Sequence, residues 1–60
     1  MKTYCDWYEE AETFLEYWDG TPTLENVIEE CKTIDGIKNP VEYGTILYGF
    51  INKILTGGSL

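Results

Sequence analysis

Residues 39–55, NPVEYGTILYGFINKIL, decide the fold. Read as a helix they complete an all-α chain, whereas a strand over residues 43–50 would demand a sheet. Asn39 is able to cap, Pro40 suits a first helical position where its missing N–H costs nothing, and Glu42 is able to reach back to the cap. Tyr43, Ile46, Leu47, Phe50, Ile51, Ile54 and Leu55 then recur with helical period. Against this, Gly44 and Gly49 each cost about 1 kcal/mol relative to alanine inside a helix. Residues 43–50 are also rich in β-formers. The helix prevails because seven apolar positions fit its period and no partner strand for a hairpin is visible elsewhere. The two glycines fit close approach by another chain, with packing against the first or second helix as the simpler reading.

The same periodicity organises the rest. Trp7, Tyr8, Ala11, Phe14, Leu15 and Trp18 line one helical face. Asp6 followed by Glu9 is a variant capping box, and Asp19-Gly20 supplies a stop. The next segment opens on Thr21-Pro22, with Thr23 a rival cap. Leu24, Val27, Ile28, Cys31 and Ile34 form its stripe, and Asp35-Gly36 ends it. These signs predict a small three-helix bundle with helices at about 7–18, 22–34 and 40–55, and a frayed end over residues 56–60. The short first loop predicts that helices one and two pack as antiparallel neighbours.

Sixty residues make a single domain that buries only about 60% of its extended-chain surface. Stability is expected to be marginal, and completion by a homodimer or a partner is in keeping with that size. No run approaches the length of a membrane span, and no basic stretch precedes an apolar one at the start, so the expected location is the cytoplasm. Two cysteines, Cys5 and Cys31, are too few for a disulfide scaffold, and free buried or half-buried thiols are expected.

The chain holds no histidine, which removes the usual general base, the usual zinc ligand and any nucleophile activated by imidazole. Adjacent carboxylates such as Glu29 and Glu30 diverge on a helix, and a bundle this small offers no cleft for tuning one of them. No catalytic residue, cofactor or metal site is expected. With four lysines, no arginine and a net charge of -7, the chain is poorly suited to neutralising phosphates or an anionic membrane.

What stands out is where the charge lies. Nine acids and no Lys or Arg occupy residues 3–31. On the first helix Glu9, Glu12, Glu16 and Asp19 recur at steps of three and four and are expected to share one face. At 1.5 Å rise per residue their carboxylates are separated by about 4.5–6 Å along the axis. Glu10, Glu25, Glu29 and Glu30 widen the field, and Tyr17, off the apolar stripe, is a candidate contact anchor. Solvated helices commonly mix both signs, and the absence of mixing here suggests that negative potential is itself useful.

The expected function is that of a small protein-binding inhibitor whose carboxylates mimic nucleic-acid phosphates. Its partner would be a basic DNA- or RNA-binding protein such as a nuclease, polymerase or CRISPR-type effector. In size and charge the chain resembles inhibitors made by bacterial viruses, a likeness of type without shared motifs. The stretch from Pro22 to Ile28 and the run GFINKIL at residues 49–55 resemble the C-terminal helices of NusB-type transcription factors. The acidic surface departs from RNA binding, and no site residue is carried over. The competing expectation is a structural or regulatory module that self-associates through residues 43–55 or joins a transcription complex.

Overall fold

The structure is a computed structural model that describes residues 2–57. It is all-α: α1 spans Tyr4–Tyr17, α2 spans Leu24–Lys32 and α3 spans Pro40–Leu55. No strand occurs among the described residues, so the β-forming run at 43–50 is helical. Of the expected frayed end, residues 58–60 lie outside the described residues.

Helix α3 has the expected bounds. Asn39 caps it, accepting the Glu42 backbone N–H at 3.2 Å, and Pro40 fills the first turn. The other two starts differ from expectation. Helix α1 begins a turn earlier, with Thr3 as cap and Asp6 as its third residue. The Thr3 hydroxyl accepts the Asp6 N–H at 3.2 Å while the Asp6 carboxylate accepts the Thr3 N–H at 3.1 Å. The added turn is held by tertiary contact, since the Tyr4 ring lies edge-on to Phe50 at 4.8 Å. In α2 the rival cap prevails: Thr23 exchanges two hydrogen bonds with Asn26, at 3.0 and 3.1 Å. Three residues after Thr21 stands Leu24, which cannot return a side-chain bond to a cap there. Pro22 consequently sits before the helix, fully buried.

The stops also come early. Trp18 is already extended, and Gly20, with φ of 95°, turns the chain two residues later. Helix α2 closes at Lys32 with Thr33 bonded back to the Glu30 carbonyl, leaving Ile34 outside the helix and exposed.

Helix α3 is the centre of the arrangement. Both α1 and α2 pack on it, but they bring no pair of Cα atoms within 8 Å of each other. The expected antiparallel pairing of α1 with α2 is therefore not what forms. The reason lies in α3, whose apolar residues are spread widely enough around it to receive a helix on either side. Ala11 of α1, Val27 and Cys31 of α2, and Leu47 and Ile51 of α3 make the buried core. Gly44 lets α2 approach closely: a Cβ placed there would lie 2.8 Å from Ile28 Cγ1. The glycine reading that holds at this position is thus internal packing. Gly49 faces open space. Leu24, Ile46 and Leu55, expected in the apolar stripes, remain exposed. The result is a flattened body, 29 × 27 × 16 Å across its principal axes.

Candidate functional site

Helical periodicity places Glu9, Glu12 and Glu16 together, all exposed, along the edge of a shallow hollow that also touches Leu15 and Ile54. Among the described residues no lysine nitrogen lies within 4.0 Å of these three carboxylates. Asp19 does not extend the row as a helical neighbour, because α1 ends at Tyr17 and Asp19 belongs to the bend beyond it. Glu25, Glu29 and Glu30 are exposed on α2. Glu29 is paired with Lys32 at 2.9 Å, an exposed contact worth a few tenths of a kcal/mol.

Glu10 has a different role from its neighbours. It is half-buried, with the Lys2 ammonium on one carboxylate oxygen and the Tyr43 hydroxyl donating to the other. Lys2 also lies over the Trp7 and Tyr43 rings, 5.4 and 5.7 Å from their centroids. Glu10 holds the Lys2 ammonium above the usual lysine range, and burial followed by the Glu10 bond pushes the Tyr43 hydroxyl up. Glu10 thus ties the N-terminal segment to α1 and α3 and is spent on internal structure. Position 2 lies eight residues from Glu10 and Tyr43 lies thirty-three away. Only the Thr3-x-x-Asp6 spacing, a legible capping signature, pointed to a helix start that brings Lys2 near.

Because α1 and α2 stand apart on α3, a groove opens between them, about 260 Å³ in volume. Leu47 forms its floor; Phe14, Tyr17 and Trp18 line one wall, and Cys31 and Ile34 the other. The Phe14 and Trp18 rings stack at 5.5 Å with 19° between their planes. Tyr17 is 85% exposed and Ile34 50%. Glu10 and Glu30 border the groove from opposite helices, and no lysine lines it. Of the sequence candidates the groove therefore gathers Tyr17, Glu10 and Glu30, while Glu9, Glu12 and Glu16 stay together on the other hollow.

Both cysteines are free thiols; Cys31 is buried, whereas Cys5, expected to be buried or half-buried, is exposed in the first turn of α1. Burial, reinforced by Glu10 and Glu30, pushes the Cys31 thiol above its usual range. Among the described residues no group of three or more metal-ligating side chains comes together, and no helix is long and apolar enough to cross a membrane.

Fold and surface together define a small, acidic, all-helical protein. No protein-family model matches the chain, and none of the curated proteins or solved structures compared with it gives a match.

Proposed function

We propose that this protein is a small binding inhibitor whose carboxylates occupy the phosphate-binding track of a basic DNA- or RNA-binding protein. The reading rests on one observation. Glu9, Glu12 and Glu16 stand exposed on α1 without a lysine within 4.0 Å, while three of the four lysines are engaged elsewhere. Lys2 is on Glu10, Lys32 on Glu29, and Lys53 lies 5.8 Å from the Tyr4 ring centroid. Successive carboxylates about 4.5–6 Å apart along the axis fall within one Debye length, about 8 Å at physiological salt, so their potentials add. Such a row raises the encounter rate with a cationic surface and repels nucleic acid and anionic membranes.

The protein acts by occupancy, without catalysis, in the compartment where its target works. Its test is capture of partners from the producing cell at low and high salt, using the native chain and a Glu9→Lys, Glu12→Lys, Glu16→Lys variant. Basic proteins should be recovered at low salt, be released by high salt and be lost by the variant at unchanged helicity. Recovery of partners that are not basic, or binding indifferent to salt and to charge reversal, would remove this reading.

A further inference from the structure

We propose that the groove between α1 and α2 is the docking site for one amphipathic, lysine- or arginine-flanked helix of the basic partner. This rests on the inhibitor reading above and adds a second contact beside the row of Glu9, Glu12 and Glu16. Three observations lead to it.

The first is architectural. Two helices leaning on a third with no pair of their own Cα atoms within 8 Å leave an open position in a bundle, floored here by Leu47 of α3. Helices pack at 8–10 Å between axes, and a helix laid in such a trough would bury its apolar face on three others.

The second concerns exposure. Tyr17 at 85% and Ile34 at 50% are large apolar groups on opposite walls of the same groove. Neither is covered by the chain's own packing, yet Phe14 and Trp18 beside them are stacked in place. A rigid aromatic wall with an exposed tyrosine at its rim is the composition of a contact hot spot.

The third is charge, which selects the occupant. Of the nine acids at residues 3–31 two border the groove, Glu10, which is engaged by Lys2, and Glu30. Glu30 borders the groove with no lysine within 4.0 Å, and no cation lines it. A second copy of this chain would bring another net charge of -7 to the contact. An anionic lipid surface would be repelled likewise. An apolar floor with the unpaired Glu30 carboxylate at its α2 side and no lysine in its lining is complementary to a helix with leucine-type residues on one face and a cation on its flank.

The test is titration of the isotope-labelled full chain with three synthetic peptides of roughly 15 residues, the length at which an isolated helix becomes tenable. One is a Leu/Lys sequence with a single apolar helical face, one has the same composition scrambled, and one is the Leu/Glu counterpart of the first. The Leu/Lys peptide should shift the backbone amides of Trp18, Thr33, Ile34 and Leu47, which line the groove and not the other hollow, and bind about tenfold more tightly than the scrambled one. A Tyr17→Ala, Ile34→Ser variant of native helicity should lose that preference, whereas Glu9→Lys with Glu12→Lys should retain it. Equal binding of the amphipathic and scrambled peptides, with shifts confined to residues around Glu9, Glu12 and Glu16, overturns the groove and leaves the inhibitor reading standing. Binding of the Leu/Glu peptide as tightly as the Leu/Lys one overturns both. Absence of binding by all three peptides overturns the groove. So does self-association of the free chain in sedimentation that Tyr17→Ala abolishes, since the occupant would then be a second copy.

Discussion

Gly44 of α3 faces Ile28 of α2 so closely that an added Cβ would lie 2.8 Å from Ile28 Cγ1 and 3.0 Å from its Cα. Ile28 is β-branched and stiff in a helix, and the second contact is with backbone, so neither neighbour yields easily. Gly44→Ala should therefore push α2 from α3 and destabilise by about 1–3 kcal/mol, the range for overpacking. Gly49 lies in the same helix with nothing within 4 Å of an added Cβ. There Gly49→Ala should stabilise by up to about 1 kcal/mol through helix propensity alone. Urea denaturation of the two variants should give midpoints on opposite sides of the native one; a shift in the same direction for both would contradict the packing.

Capping in α2 discriminates between two threonines that flank one proline. Thr23→Ala removes the hydroxyl that accepts the Asn26 N–H and should cost about 1 kcal/mol. Thr21→Ala, outside the helix and exposed, should change stability by no more than about 0.5 kcal/mol. Thermal melts followed by circular dichroism measure both.

The Thr3–Asp6 cap makes α1 sensitive to acid. The Thr3 backbone N–H, followed by its hydroxyl, holds the Asp6 carboxyl below the usual aspartate range. A carboxyl whose folded pKa is lowered contributes stability above its unfolded value, and the contribution is lost as pH falls through the folded value. The native chain should therefore lose stability below the usual aspartate range, and the loss should be smaller in Asp6→Asn. Denaturation midpoints measured from neutral to acid pH test this.

At the other end of the pH scale the Lys2–Glu10–Tyr43 cluster should respond. Lys2 and Tyr43 both have raised folded pKa values, the first chiefly through Glu10 and the second chiefly through burial. Stability from such groups is fully present below their unfolded values and is lost as pH rises through the folded ones. Stability should thus hold at neutral pH and fall in alkali, with tyrosinate absorbance of one residue appearing late. Tyr43→Phe should cost about 0.5–1.5 kcal/mol at neutral pH and reduce the alkaline loss.

The two thiols should react in sequence. Cys5 is exposed, whereas Cys31 is 1% exposed with its thiol pushed up by burial. A maleimide added to the native protein should modify Cys5 at once and Cys31 only through opening of the α2–α3 contact. Mass spectrometry of the peptides follows each site, and equally fast labelling of Cys31 would be incompatible with its place in the core.

What the sequence by itself determined is local: three helices, the cap and proline that start α3, the cluster of Glu9, Glu12 and Glu16, and the exposure of Tyr17. Each follows from spacing along one helix, where backbone geometry fixes which side chains are neighbours. Tertiary structure decided what spacing does not encode. Spacing leaves both Thr3-x-x-Asp6 and Asp6-x-x-Glu9 open as the first cap, and the contact of Tyr4 with Phe50, forty-six positions along the chain, favours Thr3. Glu10 differs from Glu9 and Glu12 because Lys2 and Tyr43 close on it, contacts that a helical wheel of α1 cannot contain. The groove exists because α1 and α2 both settle on α3, and which pair of helices meets depends on how three apolar faces fit together in space.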